Sequence, residues 1–217
     1  CRSSRQWQPL EIDLLKSLAT QLAIALQQSQ LYKQTQHQVH REQALNRVIQ
    51  TIRSSLDLTT IFSTALSEIA QLLETDRADI MQYLPQQKLW RLVAEYPQTL
   101  EPSNTLAVEV PDDGNEIAAR LKRLEIVRIE DTSTDIEEVN QGFPKNFPGA
   151  WLLVPLHIGT SVWGSLSLVR NRQPYLWQDS EVELAGAVAD QVAIALQQAE
   201  LYKQSRIAAA AARTKAH

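Results

Sequence analysis

The amino-acid sequence predicts an α+β fold, in which helices flank an antiparallel sheet and a long helix stands at each end of the chain. The segment Leu10–Leu56 contains no Pro or Gly and is rich in Leu, Ala, Gln, Glu and Lys, which favour helix. The middle of the chain has short segments rich in β-branched and aromatic residues, separated by turn residues. The clearest of these turns, Gly159-Thr160-Ser161, predicts a hairpin just before the last helix.

An internal repeat links the two ends of the chain. Trp7–Gln34 and Trp177–Gln204 align without a gap, and 16 of the 28 positions are identical. A spacing of 170 residues corresponds to one domain plus a connector, so we expect a segment of a tandem array. The predicted parts are the tail and closing helix of a preceding domain (1–35), a connector helix (36–57), one complete domain (58–204) and the start of an output linker helix (205–217).

Composition limits the classes of function. The chain has 217 residues, of which 44% are hydrophobic and 21% charged, enough for one good core. A net charge of -4 gives no electrostatic reason to expect nucleic acid or an acidic membrane surface as partner. No apolar run approaches the roughly 18 residues that span a bilayer, so we expect a cytoplasmic protein. The single cysteine, Cys1, excludes intrachain disulfides and Cys-rich zinc sites.

The order of predicted elements suits an antiparallel sheet with helices packed on it. Asp57 is a suitable N-cap for a helix through Leu73, and Asp179 or Ser180 begins the last helix. Between these helices the sequence predicts strands at 78–84, 89–96, 106–110, 126–130, 151–158 and 162–169, with a helix at 116–124 and an irregular stretch at 131–148.

Two apolar stripes on the first helix predict a parallel homodimer. Both stripes follow steps of three and four, the spacing of a coiled-coil seam. A polar joint, 34–42, separates them, and extending the second stripe by sevens places Gln38 at the seam, out of phase with the first. We therefore expect a weakly paired joint, or a rigid helix coated by polar residues. The predicted dimer residues are Leu15, Leu18, Leu22 and Ala25, then Leu45, Val48 and Ile52.

Several segments resemble those of a GAF domain. They are Ser55-Leu-Asp-Leu-Thr-Thr-Ile-Phe, Leu153-Val-Pro-Leu, Val162-Trp-Gly-Ser-Leu-Ser-Leu and the closing segment Trp177–Leu196. More narrowly, they are similar to the GAF domains strung together in cyanobacterial phytochrome-like sensor kinases. The resemblance covers Leu58–Gln204 and implies a GAF-like fold. It also implies a sensor of light or a small molecule that passes its state through dimeric helices to a histidine kinase.

On this basis we expect a non-catalytic sensory or signal-relay module, with a second copy and adjacent GAF and kinase domains as partners. No catalytic triad, metal cluster or Gly-rich phosphate loop supports an enzyme. Two alternatives stay open: a purely structural dimerisation spacer, and a GAF domain that binds a small molecule non-covalently. A pocket of roughly 300 Å³ or more would favour the ligand-binding alternative.

The resemblance also bears on cofactors. Bilin-binding members of the family attach the chromophore through a cysteine in the region that corresponds to Asp135–Pro148, and this region has none. Covalent attachment of a bilin is therefore not expected in this copy, and no cofactor or metal is expected. The Asn-Lys-Phe-Asp-Glu signature of cyclic-nucleotide-binding members is also absent from the sequence.

Four residues on predicted strands are candidates for a ligand pocket: Trp90, Trp151, Trp163 and His157. Core packing is the default explanation for the three tryptophans, although aromatic walls also line pockets in this family. An edge position explains His157, which lies between Leu156 and Ile158. If a ligand binds, we expect it between the sheet and the segment Asn115–Phe147.

Overall fold

The computed structural model describes residues 7–54, 57–97, 108–134, 148–171 and 173–215. The side chains of several residues between 34 and 54, and of residues 209–215, are also outside that description. The helices are α1 (Pro9–Ser54), α2 (Leu58–Leu72), α3 (Glu116–Lys122) and α4 (Asp179–Lys215). The strands are β1 (Arg77–Leu84), β2 (Leu89–Tyr96), β3 (Glu109–Pro111), β4 (Val127–Ile129), β5 (Gly149–Ile158) and β6 (Ser161–Asn171).

Residues 1–43 form one unit and residues 44–217 a second. Helix α1 begins at Pro9, whose fixed φ and missing N–H suit a first helical turn. The backbone N–H of Gln8 donates to Glu11 Oε2 at 2.9 Å, which satisfies one donor at the helix start. The long helix predicted over Leu10–Leu56 is present over Pro9–Ser54, and Ser55 and Leu56 lie outside the described residues.

Helix α2 begins at the predicted cap. Asp57 Oδ2 accepts hydrogen bonds from the Thr60 backbone N–H at 3.0 Å and from the Thr60 hydroxyl at 2.7 Å. The helix buries one apolar stripe, which includes Ile61, Leu66 and Ile69. This stripe directs α2 onto one face of the sheet.

The six strands form one antiparallel sheet in the order β3-β2-β1-β6-β5-β4. Strands β1 and β2 are joined by the turn at 85–88, and β5 and β6 by Gly159 and Thr160. Gly159 has φ of 62°, a left-handed conformation that glycine adopts without strain. The predicted α+β fold, an antiparallel sheet with flanking helices, is confirmed.

The two faces of the sheet pack against different helices. One face, the helix-pair face, lies against α2 and α4 and holds the larger core, with Ile80, Leu152 and Leu168 fully buried. The opposite face, the α3 face, carries a smaller apolar cluster that includes Leu92, Leu121 and Trp151. The larger core fills most of the helix-pair face, but an open cavity of about 930 Å³ lies at its edge, with Phe62, Trp163 and Leu196 among its lining residues.

Some element boundaries differ from the predicted ones for local reasons. Helix α3 ends at Lys122 and not at Leu124, because Leu124 has φ of 61° and so leaves the helical conformation. The strand predicted over 106–110 is observed at Glu109–Pro111, and residues 98–107 lie outside the description. Pro111 is accommodated because β3 is an edge strand.

Candidate functional site

A cavity lies on the α3 face, between the sheet and helix α3. Its walls come from five strands and from the start of α3. The apolar and aromatic lining residues are Met81, Trp90, Val110, Ile117, Ala118, Leu121, Trp151, Leu153 and Val169; the polar ones are Asp79, Asn115, Ser165 and Ser167. The cavity lies where the sequence predicts that any ligand would bind, between the sheet and the segment that begins at Asn115.

The cavity is small. Its volume is about 60 Å³, whereas a pocket for a drug-sized ligand measures roughly 300–1,000 Å³. A buried water needs on the order of 10–15 Å³ of such space, so the cavity has room for a few waters or a very small molecule. It falls below the size that would favour a large chromophore.

Trp90 is held in place by a polar cluster at the rim of the sheet. Its indole N–H donates to Asp112 Oδ1 at 3.2 Å, and its ring lies against Tyr83 with centroids 4.9 Å apart. Asp112 also accepts from Lys122 Nζ at 2.8 Å and from the Tyr83 hydroxyl at 3.2 Å. Burial alone would raise the pKa of Asp112, but the bonds from Lys122, Trp90 and Tyr83 outweigh it and lower this pKa. The cluster fixes one wall of the cavity.

A buried ionic group forms another part of the site. Arg77 Nε lies 3.3 Å from Asp79 Oδ2, and Arg77 Nη2 lies 2.8 Å from Glu95 Oε2. All three side chains are at most 4% exposed. Strand register explains the grouping, because Asp79 pairs with Glu95 on β2 and with Ser167 on β6. Burial raises the pKa of Asp79 to about 6, although Arg77 and Ser167 act in the opposite direction.

Two of the four pocket candidates line this cavity, namely Trp90 and Trp151. Trp151 lies on β5, opposite Val169 on β6 and Ile129 on β4, and is 6% exposed. The side-chain alternation of β5 places it on the α3 face, because its neighbour Leu152 belongs to the core on the helix-pair face.

Trp163 and His157 lie on the helix-pair face instead. The Trp163 ring packs against Phe62 of α2, with centroids 5.9 Å apart. His157 Nδ1 lies 2.9 Å from the Gly159 carbonyl oxygen, and Nε2 lies 4.0 Å from Asp190 of α4. The structure therefore separates these two residues from Trp90 and Trp151 by the thickness of the sheet.

Trp163 is separated from the cavity by a break in the alternation of β6, where the register of β5 with β6 shifts between Leu156 and His157. Ser165, Ser167 and Val169 line the cavity, so strict alternation would place Trp163 beside them. Trp163 packs instead with the core of the helix-pair face, and Val162 packs with the α3-face cluster. At Gly164 the backbone approaches β1 so closely that a Cβ would lie 2.1 Å from the Met81 carbonyl oxygen.

Sequence reasoning missed the polar lining residues. Asp79 stands in an otherwise apolar part of β1, and Ser165 and Ser167 alternate with leucines on β6. A polar residue every second position, on a strand whose other face is apolar, is the signal that could have identified them. Asn115 has a structural role as well, because its side-chain oxygen caps α3 by accepting from Ala118 N at 2.9 Å.

The predicted dimer residues of α1 are exposed where the structure describes them. Leu15 is 49% exposed, Leu18 47% and Leu22 64%, and Ala25 is exposed as well. The side chains of Leu45, Val48 and Ile52 lie outside the description. Pairing of α1 with a second copy stays a prediction.

Among the described residues, no cluster of three or more His, Cys, Asp or Glu is arranged to hold a metal ion. None of the described helices is both long and apolar enough to cross a membrane.

The sequence of the chain is similar to parts of longer signalling proteins. The chain is 26% identical over 187 residues to the circadian input-output histidine kinase CikA of Synechococcus elongatus, covering 77% of this chain and 25% of that protein. It is 24% identical over 216 residues to a putative methyl-accepting chemotaxis protein of Synechocystis sp., covering 96% of this chain and 21% of that protein. The chain thus spans about a quarter or less of the length of these relatives.

Among solved structures, a far-red absorbing protein with bound biliverdin IXa, in its dark state, is 25% identical to the chain. The match has a TM-score of 0.60 and covers 72% of this chain and 99% of that one. The family model described as "GAF domain" matches residues 57–196, which is more than half of the chain. By sequence and by fold, the chain belongs to the GAF domain family.

Proposed function

We propose that the chain is a non-catalytic sensory or signal-relay module of a multidomain, phytochrome-like signalling protein. In this proposal it forms a homodimer through parallel helices and passes a conformational change towards a histidine kinase output. Its relatives named above are a histidine kinase and a putative chemotaxis receptor, both several times longer than this chain.

The observation that carries the proposal is the double role of α4. Its first half is part of the domain core, with Ala185, Val188 and Val192 fully buried on the helix-pair face. Its second half, from Gln197 onward, is exposed almost throughout its described part. A change in the packing of the sheet would therefore act directly on a helix that continues out of the domain.

The repeat supports a preceding GAF copy. The capping contact at the start of α1, from Gln8 N to Glu11 Oε2, is repeated in α4 from Gln178 N to Glu181 Oε2 at 2.8 Å. The stripe Leu15, Leu18, Leu22 and Ala25, which we call the inner stripe, aligns with Ala185, Val188, Val192 and Ala195 of α4. All four of these α4 residues are buried against the sheet. We therefore propose that the inner stripe packs on the sheet of a preceding copy in the longer protein.

The proposed parts keep the boundaries expected from the sequence, with 1–35 as the tail of the preceding copy and 36–57 as the connector. Residues 58–204 form the GAF domain, and 205–217 begin the linker to the output. We propose that this copy carries no covalent chromophore, because residues 2–217 contain no cysteine.

A helix-phase experiment in the longer protein tests the relay. Insertion of two or five residues after Lys203 turns everything beyond it by about 200° or 140° relative to the domain, whereas seven residues nearly restore the phase. We expect kinase output to change with the short insertions and to return close to normal with the seven-residue insertion. Equal output from all insertion lengths would show that α4 does not carry the signal.

A second candidate function is non-covalent binding of a very small molecule in the cavity on the α3 face. The observation that favours it is the mixed lining, in which Asp79, Ser165 and Ser167 face two tryptophans. Ala118 is 2% exposed and lines this cavity, so Ala118→Leu would fill much of it. Loss of the signalling response in a stably folded Ala118→Leu protein would favour ligand binding, whereas an unchanged response would favour a relay or spacer.

A further inference from the structure

The exposed surface of α4 contains residues that the internal repeat has kept. Between 194 and 204, eight side chains of α4 are exposed, and seven of them are identical to their counterparts in α1. They are Ile194, Gln197, Gln198, Leu201, Tyr202, Lys203 and Gln204. Six of the counterparts, Ile24, Gln27, Gln28, Leu31, Tyr32 and Lys33, are described and are exposed as well.

Some buried positions of α4 differ from their counterparts in α1, whereas others, such as Ala189 and Leu196, are identical. Leu15, Leu18 and Leu22 of α1 stand where α4 has the smaller residues Ala185, Val188 and Val192. A face that meets only water tolerates substitution better than a core face, because exposed changes usually alter stability by less than about 0.5 kcal/mol. Identity on the exposed face therefore indicates that both helices present it to the same kind of partner.

The two large apolar residues on this face are spaced by seven. Ile24 and Leu31 are 50% and 55% exposed, and Ile194 and Leu201 are 42% and 58% exposed. Continuing from Leu31 by sevens leads through Gln38 to Leu45 and Ile52, so one register covers most of α1. We call Ile24, Leu31, Leu45 and Ile52 of α1, with Ile194 and Leu201 of α4, the outer stripe.

We infer that the outer stripe is the homodimer seam, and that its occupant is the outer stripe of a second copy in parallel orientation. This inference refines the dimer of the proposed function. Parallel identical helices bring identical residues face to face around a two-fold axis, so a self-complementary seam must avoid like charges. The position three residues after each described apolar residue is glutamine in both helices: Gln27, Gln34, Gln197 and Gln204. Uncharged amides pair across such an axis without repulsion.

The outer stripe removes the phase mismatch expected from the sequence. That mismatch arises only when the inner stripe is counted as part of the same seam as the second apolar stripe of α1, which contains Leu45, Val48 and Ile52. The α4 residues aligned with the inner stripe are buried in their own domain, so the inner stripe belongs to a different face. The seam then runs from Ile24 to Ile52 in one phase, with Gln38 as its one polar position in the register of sevens.

Matched variants of the 217-residue chain separate the two stripes. The outer variant combines Ile24→Ser, Leu31→Ser, Ile194→Ser and Leu201→Ser, and the inner variant combines Leu15→Ser, Leu18→Ser and Leu22→Ser. Sedimentation equilibrium gives the dimer dissociation constant of each, and circular dichroism checks that the folded state is retained. We expect the outer variant to raise the dissociation constant by at least about 100-fold and the inner variant by less than about threefold.

Disulfide trapping adds a readout that does not depend on folding stability. In a Cys1→Ser background, Leu201→Cys should form an intermolecular disulfide under mild oxidation, because a parallel seam places the two copies of residue 201 side by side. Lys203→Cys, two positions along the same helix, lies away from the seam and should stay reduced.

The outcomes distinguish this inference from the proposed function. A monomeric wild-type chain would contradict the proposed homodimer itself. A wild-type dimer that dissociates in the inner variant but not in the outer one, or that traps Lys203→Cys and not Leu201→Cys, would overturn only the assignment of the seam.

Discussion

An ion pair between Arg170 and Glu181 joins β6, the last strand in the sequence, to the first turn of α4. Arg170 Nη2 donates to Glu181 Oε1 at 3.0 Å and to the Leu73 carbonyl oxygen, just after α2, at 2.6 Å. The guanidinium also lies 3.8 Å from the centroid of the Tyr175 ring, whose hydroxyl donates to the same carboxylate oxygen at 3.0 Å. One side chain thus connects β6, the end of α2 and the start of α4.

Removal of this guanidinium should destabilise the domain. Arg170→Ala removes the donor to the Leu73 carbonyl and the cation that pairs with the half-buried Glu181 carboxylate, so we expect a loss of about 2–4 kcal/mol in the free energy of unfolding. Arg170→Lys should recover only part of it, because an ammonium group cannot reproduce the planar fork. Urea denaturation measures both. Arg123→Ala, which removes exposed ion pairs with Glu116 and Glu125, is the control and should leave stability nearly unchanged.

The buried Asp79 should make stability fall as pH rises. Its pKa is raised to about 6 in the folded protein, so between about pH 4 and 6 the folded state binds more protons than the unfolded state. Wild-type stability should therefore drop by roughly 1–3 kcal/mol between pH 4.5 and 7 relative to Asp79→Asn, which cannot ionise. Denaturation curves at both pH values check this.

Asp131 provides a control, because its pKa is shifted in the opposite direction to that of Asp79. Hydrogen bonds from Ser133 lower its pKa, so its contribution is present above its ordinary pKa and is lost only as pH falls below about 4. Asp131→Asn should leave the change between pH 4.5 and 7 as it is in wild type. Identical pH slopes for wild type and Asp79→Asn would contradict the prediction for Asp79.

Two glycines give a matched pair of alanine substitutions. A Cβ at Gly164 would lie 2.1 Å from the Met81 carbonyl oxygen, whereas a Cβ at Gly186 of α4 would meet nothing within 4 Å. Gly164→Ala should therefore cost about 2–4 kcal/mol, because the strands must separate. Gly186→Ala should add roughly 0.5–1 kcal/mol of stability, since alanine favours the helix. Thermal unfolding of both variants tests the close approach, and a stable Gly164→Ala protein would contradict it.

Co-expression with bilin-synthesis enzymes should yield a colourless protein. A thioether needs a cysteine thiolate, and Cys1 is the single cysteine in the chain. Zinc-induced fluorescence on a denaturing gel, followed by peptide mapping, checks for an adduct. Any band should vanish in Cys1→Ser, and a band that survives this substitution would refute the prediction.

Local sequence patterns predicted most of the fold. They did not predict which face of the sheet each of the four pocket candidates occupies. Gly159 and the two strands around it predicted the β5–β6 hairpin, because turn chemistry depends on neighbouring residues alone. Trp90 and Trp151 line the cavity beside α3, whereas Trp163 does not. The position of Trp163 depends on a shift in the register of β5 with β6 between Leu156 and His157, which local patterns do not indicate.

The buried ionic group of Arg77, Asp79 and Glu95 also could not be predicted from local sequence patterns. Arg77 and Asp79 are neighbours on one strand, but Glu95 joins them only through the register of β1 with β2. That register contains an irregularity between Ile80 and Met81, which no turn or periodicity in the sequence announces. Contacts set by long-range register were therefore inaccessible to sequence reasoning.

In the proposed relay, helix α4 would act as a rigid lever whose short arm is buried. From Ala187 to Lys215 the sequence has no Gly or Pro, so the helix has no hinge where it leaves the domain after Leu196. The part beyond Leu196 is about 28 Å long at 1.5 Å per residue, so a tilt of about 5° at the core would move its far end by about 2.5 Å. A displacement of that size exceeds the slack of a packed interface, so in the proposed relay a small change in core packing would be felt at the far end of α4.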